Sequence, residues 1–448
     1  MILDRPLTAG ERRDSVRNLY KHTCINGSAY ACVGEAMMIL LAVNLGCPDS
    51  VSAAIGAMVY VGFACLPLGR IVTARIGAAL CSSVFWMIRN VCALFIASAF
   101  FWVKAGHPTI GTITILLGAF GFYGCRSAAV VIQQPLVGEF ALEEDQSRVI
   151  AARDGLFYVF EGIAYVGIVL FLWARGGTVP SAASGISLSN AASLAWIMGI
   201  GSCLGIWSSY YLGRLHESNT LRDGARKPVR HELRELLGIP SFRKLLFAGS
   251  AMNVYAMLVV PASMLILKRG YGVSDFSAIL WSFAQIAAGG LGAFLTGPLG
   301  RRIGPRKEIL WAYGTMAVIA VGWIALPPDA PFAVHAAAWL LLFFLCGFCK
   351  GFGESALSHY FLLDTPARLR ISGSTLLYTS MGLCAGLIGL GISTTLLSLI
   401  GANEAAAGAP ALRAYRIYFC CLLLLLPGIV FPYRLTPLTP AQRAQIKR

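Results

Sequence analysis

An all-α membrane protein of twelve transmembrane helices in two six-helix pseudo-repeats, with both termini in the cytoplasm, is the fold this sequence predicts. Three observations carry the prediction. Apolar stretches of membrane-crossing length recur along the whole chain, positive charge gathers in alternate loops, and short motifs return at an offset of 227 residues.

The apolar stretches come first. Of 448 residues, 57% are hydrophobic and 13% charged, about half the roughly 25% charged that soluble domains carry. Runs of about 18 or more apolar residues match a hydrocarbon core roughly 30 Å thick. Backbone polar groups at that depth must bond to each other, which leaves helices or a closed barrel, and the runs lack the alternation of barrel strands. Spans are expected near 23–46, 50–69, 77–103, 109–138, 149–173 and 190–213, then near 245–267, 274–299, 308–327, 333–362, 371–400 and 412–433. The long polar segment 214–244 divides six spans from six, giving an N-terminal half 1–213, a basic cytoplasmic linker 214–244 and a C-terminal half 245–448. Within the linker, Val229–Leu237 is amphipathic and predicts a helix lying on the inner membrane surface. The polar start and long first span predict no cleavable signal peptide.

A net charge of +15 invites a nucleic-acid partner, and its distribution excludes one. With both termini inside, inner segments hold 27 of the 36 Lys and Arg and outer loops hold 6. That bias is a topology signal, and its partner is anionic membrane lipid. The 13 cysteines lie mostly in spans without ligand-like spacing, and Cys346-x-x-Cys349 has no companion ligands. They read as small buried hydrophobes, so no metal or cofactor is expected. P-loop, H-E-x-x-H and nucleophile-elbow patterns are absent, which argues against an enzyme.

The repeats come next. The turn Gly297-Pro-Leu-Gly-Arg-Arg-Ile-Gly-Pro-Arg-Lys307 has a weaker echo in Gly69-Arg-Ile-Val-Thr-Ala-Arg-Ile-Gly77, registered by Arg75-Ile76-Gly77 and Arg302-Ile303-Gly304. Asn26 and Asn253 share this offset of 227, whereas Arg148 and Arg370, like Gly167 and Gly389, share one of 222. Parallel repeats about an axis along the membrane normal are one transporter plan.

With these residues the chain resembles the major facilitator superfamily over its whole length. That family carries a loop G-x-L-A-D-R-x-G-R-K between spans two and three, sometimes repeated between spans eight and nine. Gly297, Leu299, Gly300, Arg302, Gly304, Arg306 and Lys307 fit it, with Arg301 at the acidic position. Arg75 and Gly77 fit in the first copy, where Ala74 replaces the acid. The resemblance implies a monomeric secondary transporter of the cell membrane, in the bacterial inner membrane, whose halves rock about a central site. It further implies that Gly297, Arg302, Gly304, Arg306, Lys307, Arg75 and Gly77 serve as a gating latch, and that spans one, four, seven and ten line the cavity.

Charges inside spans point to the site, because a charge at mid-membrane costs about 2.5–3.5 kcal/mol or more and needs a partner or water. They are Glu35, Arg89, Arg126, Glu161, Lys350 and Glu354. Lys350 and Glu354 share a helix face, and Gly347, Gly351 and Gly353 leave room for a neighbouring helix or a substrate. Two readings compete. In the structural one, Lys350–Glu354 and Arg126 with Glu35 or Glu161 are neutralising pairs. In the functional one, Arg126 and Lys350 hold an anionic group of the substrate, Arg as a bidentate fork and Lys as a mobile point charge, while Glu35 or Glu354 exchanges a proton. His359 is a further proton-relay candidate. Asn253, Tyr255 and Gln285 are candidates for hydrogen bonds to substrate or to adjacent helices. Arg89 and Glu161 read as structural or gating residues, and Trp207, Trp281 and Trp311 as packing or lining.

The expected activity is proton-coupled transport of a small polar organic solute, an organic anion or zwitterion. The alternatives are an exporter of amphipathic compounds or lipids, and a non-transporting sensor or assembly factor on the same fold. Span five, Leu156–Gly167, lacks the Gly-Pro motif of the family's drug-exporting antiporters.

Overall fold

The computed structural model describes residues 2–47, 49–174, 188–226, 229–273, 275–401, 408–425 and 435. The end of the expected twelfth span (426–433) and the basic C-terminal tail lie outside them. Nine helices among the described residues are long and apolar enough to cross a membrane.

Two compact units emerge, and each takes in a piece of the other sequence half. The first comprises 1–142, 156–233 and 366–379; the second comprises 143–155, 234–365 and 380–448. The exchanged pieces contain Arg148 and Arg370, the pair that marks the sequence repeat.

In the first unit the expected first span is broken. Helix α1 (Ala9–Val33) ends at Gly34 and α2 (Glu35–Asn44) begins at once. Gly34 donates its N–H to the Tyr30 carbonyl while its own carbonyl accepts from Met37 and Met38. Span two is α3 (Asp49–Val61), a 3-10 turn and α4 (Leu66–Ile76). Then come α5 (Ala78–Lys104), α6 (Pro108–Phe140), α7 (Gln146–Ala174) and α8 (Leu188–Gly213). α5 lies along α6 and α8, and α1 along α8. Small residues permit close crossings: a Cβ on Gly69 of α4 would sit 2.2 Å from the Ala128 carbonyl of α6. After α8 a two-residue strand β1 (Ile2–Leu3) pairs in parallel with β2 (Glu217–Ser218). Glu217 is buried and accepts the Ala78 and Ala79 N–H groups at 2.8 and 3.1 Å, so it caps the positive end of α5. Burial pushes its carboxyl up and those two N–H bonds pull it back down.

The linker belongs to this unit as far as Leu233. Its helices are α9 (Asn219–Arg226) and α10 (Val229–Gly238). Glu232 of α10 is buried, 2.8 Å from Arg70 at the end of span two, and it accepts from Ser372 of the exchanged 366–379 piece. Arg370 donates to the Gly138 carbonyl at 2.8 Å and Ser374 to that of Val131 at 2.5 Å. Removing one partner of a buried pair strands the other charge at about 3–5 kcal/mol. Glu232→Gln is therefore expected to lower the melting temperature sharply, by contrast with Glu11→Gln, whose partner Arg5 is half exposed. Equal melting of the two variants would remove the linker clasp.

The second unit holds α11 (Pro240–Leu265) with a π turn at 266–270, α12 (Asp275–Ile303), α13 (Pro305–Ala325) and α14 (Phe332–Asp364). α15 (Arg370–Leu383) starts in the exchanged piece and runs through a π turn at 384–389 into α16 (Leu390–Leu399); α17 (Ala409–Leu424) follows. α14 packs along α12 and α13. Three buried rings of α13 and α17 bond to neighbouring helices: Trp323 donates to Ser263 (2.8 Å), Tyr313 to the Ala248 carbonyl (2.7 Å) and Tyr418 to that of Leu258 (3.1 Å).

Candidate functional site

Unit 1 builds its polar centre around the break in span one. An interrupted helix exposes backbone groups and a helix start at membrane depth, a device transporters use at binding sites. Glu35 opens the second half-helix and is exposed, with its Oε1 3.2 Å from the Cβ position of Gly56 on α3. One turn before the break, Tyr30 is flanked by two arginines. The guanidinium carbons of Arg126 (α6) and Arg89 (α5) both lie 5.6 Å from its ring centre. Arg126 is half buried, whereas Arg89 is fully buried, 4.0 Å from the Trp86 ring and 4.8 Å from that of Phe122. Tyr123 lies within electrostatic reach of Glu35, Arg126 and Arg89. So the structure brings Glu35 and Arg126 into one neighbourhood and adds Arg89, Tyr30 and Tyr123 to it. Glu161 is half buried on α7, where α1 comes so close that a Cβ on Gly27 would sit 2.4 Å from the Phe157 carbonyl.

Unit 2 presents its charges on α14. From Cys349 to Leu362 every residue is buried except Lys350 and Glu354, which are exposed. The flanking glycines are packing positions: Cβ atoms on Gly347 and Gly351 would lie 1.8 and 2.1 Å from the Gln285 and Gly289 carbonyls of α12. Gln285 is half buried at that crossing. On α11, Asn253 donates to the Gly249 carbonyl at 3.2 Å, and Tyr255 is buried with its hydroxyl unpartnered. His359 is 2% exposed and neither ring nitrogen has a partner. Beside it lies Glu308 of α13, 0% exposed and equally unpartnered; both flank Gly300 of α12. Glu308 directly follows the basic turn and so looks like a loop charge in the sequence. A cavity of about 640 Å³ in this unit is lined by Tyr271, Trp281, Asp329, His335 and Trp339.

The repeated turns keep their register in three dimensions. Gly77 (φ 88°, ψ 168°) precedes α5 and Gly304 (φ 80°, ψ 152°) precedes α13. Both take a backbone conformation open chiefly to glycine. Gly297 is buried with its Cβ position 3.2 Å from Ala151, and Ser147 donates to its carbonyl. Arg75, Arg302 and Lys307 are exposed and Arg306 is half buried. Arg301, standing where the family has an acid, reaches Asp145 at 3.7 Å, an exposed pair of small energetic weight.

No protein-family model matches the sequence, and no curated protein matches it. Solved structures do. The Escherichia coli fucose:proton symporter FucP aligns at TM-score 0.67 and 15% identity, covering 95% of this chain and 100% of that one. The proton:xylose symporter XylE aligns at TM-score 0.67 and 13% identity over 96% and 97% of the two chains. The human organic anion transporter MFSD10 aligns at TM-score 0.58 and 13% identity over 94% and 99%. Likeness over nearly the full length of each, at such identities, speaks for architecture. The chain has the all-α fold of the major facilitator superfamily.

Proposed function

We propose that this protein is a secondary active membrane transporter, moving a small polar organic solute with an anionic group by alternating access and coupled to protons. The observation that carries the reading is the exposure of Lys350 and Glu354 in a stretch of α14 that is otherwise buried. Charges at that depth are intolerable against lipid and call for water or a polar ligand. Exposed Glu35 at a helix break and half-buried Arg126 supply a second set in unit 1. Arg126 and Lys350 are assigned to the acid group of the solute, with Asn253, Tyr255 and Gln285 as polar contacts. Glu354 and Glu35, with His359, are assigned to proton exchange. The architecture adds support, since FucP and XylE are proton symporters and MFSD10 is an organic anion transporter.

In this reading twelve spans place both termini in the cytoplasm of a bacterial inner membrane, and the halves 1–213 and 245–448 of a monomer move about the 214–244 linker. The turns Gly297–Lys307 and Gly69–Gly77, with the Arg70–Glu232 pair, act as the inner latch.

The test is a thermal-shift screen of purified protein against organic acids, amino acids and sugars, since a ligand that binds the folded state stabilises it by mass action. Any hit then goes into proteoliposomes with an imposed pH gradient. Glu354→Gln or Glu35→Gln is expected to remove gradient-driven accumulation while leaving solute exchange. Accumulation with unchanged pH dependence in both variants would discard proton coupling through these residues.

A further inference from the structure

Most buried polar groups in folded proteins find a partner, and one group of exceptions lies around Arg89. In unit 1, Nε and Nη2 of Arg89, Nε1 of Trp86 and the hydroxyl of Tyr123 are all buried without a hydrogen-bond partner. Arg89 is 0%, Tyr123 1% and Trp86 4% exposed. The arginine carbon lies 4.0 Å from the Trp86 ring, and the Phe122 and Tyr123 rings are 5.2 Å apart beside it. Every one of the unpartnered Arg and Trp atoms is a donor, and the tyrosine hydroxyl can donate. Another cation, Arg126, and the phenols of Tyr30 and Tyr123 are among the groups that act on Arg89 electrostatically. Aromatic faces offset part of a buried guanidinium's cost, but they accept none of its N–H groups in plane. What these four buried atoms lack is an acceptor.

We propose that Arg89, Trp86 and Tyr123 form a binding site for one compact anion, a carboxylate or an inorganic anion of similar size. Tyr30 stands between this site and Arg126, with both guanidinium carbons 5.6 Å from its ring centre. The anion has two possible sources. It is the acid group of the transported solute, in which case the site deepens the reading of Arg126 above, or it is a free ion such as chloride, in which case the site is independent of that reading. Neighbouring Asn90 does not fill the role: its Oδ1 is itself buried and accepts from no donor, its amide nitrogen donates to the Trp86 carbonyl, and its side chain lies against Gly205 of α8.

The experiment uses the full-length protein purified without halide, in a bulky-anion buffer at constant ionic strength. Chloride, bromide, nitrate and acetate are titrated separately, with melting temperature and tryptophan fluorescence as readouts. A saturable rise in melting temperature, with bromide quenching part of the fluorescence, is the expected result. Arg89→Gln should abolish the saturable component. Trp86→Phe and Tyr123→Phe, which keep the charge and the ring, should each weaken the anion roughly tenfold, the worth of one hydrogen bond to a charged group; they also serve if Arg89→Gln does not fold. Arg126→Gln should leave small-anion binding in place. Absence of a saturable effect in the native protein, or an unaltered one in both Trp86→Phe and Tyr123→Phe, overturns the site. Competition between acetate-like solutes and chloride for one site assigns it to the solute if uptake survives chloride removal, and to the free ion if uptake requires chloride. Loss of uptake in Arg126→Ala, together with no saturable anion effect in the native protein, would overturn this site and leave the transport reading standing.

Discussion

Arg126→Ala is expected to abolish solute uptake in proteoliposomes while leaving a folded, monodisperse protein. A hydrogen bond to a charged group contributes about 1.5–3 kcal/mol, and a bidentate grip provides two, so a loss of about 100-fold or more in apparent affinity follows. Arg126→Lys keeps the charge without the fork and should recover only part of the activity. Lys350→Ala should show a comparable loss, because Lys350 is exposed in a stretch of α14 that is otherwise buried apart from Glu354. That exposure separates function from folding: a merely structural lysine would lower the melting temperature, a solute-binding one would not. Normal uptake by both Arg126→Ala and Lys350→Ala would end the anion-site reading.

Much of the architecture was legible because membrane spans announce themselves by length and apolarity, and because glycine turns are dictated by backbone geometry. Gly77 and Gly304 matched in sequence and share a positive φ before equivalent helices. Span ten was equally plain, since α14 runs unbroken from Phe332 to Asp364. Span one was not. The break at Gly34 leaves hydropathy unchanged, and glycine in a span is too common to signal a helix end by itself. The cage around Arg89 was invisible for another reason. Trp86, Phe122 and Tyr30 are ordinary apolar-face residues on three different helices, and periodicity reports which face of a helix is apolar, not what faces it. Glu232 was hidden likewise: an amphipathic linker helix reads as a membrane-surface element, yet its acid is 1% exposed and holds Arg70. His359 could be picked as a titratable residue, but its neighbour Glu308 comes from a helix start 51 positions earlier in sequence.

Gly351→Ala and Gly347→Ala should be among the most damaging substitutions in the chain, although each adds one methyl group. The added Cβ would fall 1.8 Å from the Gln285 carbonyl oxygen in one case and 2.1 Å from that of Gly289 in the other, so α12 and α14 must move apart. Overpacking commonly costs about 1–3 kcal/mol, and here the obstacle is backbone rather than a side chain that can turn away. Gly199→Ala and Gly314→Ala are the controls, since nothing lies within 4 Å of either Cβ position. Replacing a mid-helix glycine there should stabilise by about 0.5–1 kcal/mol. Melting of all four variants at the native temperature would contradict the close crossing. The consequence reaches function through helix rotation. Lys350 and Glu354 each follow a packing glycine by three residues, so at 3.6 residues per turn their face is turned about 60° from the contact with α12. That contact therefore sets the direction in which the two charges point. Where Gly347→Ala still yields folded protein, rotation or displacement of α14 should lower uptake more than it lowers melting temperature, and Gln285→Ala should not rescue it, because the obstacle is the main chain of Gln285.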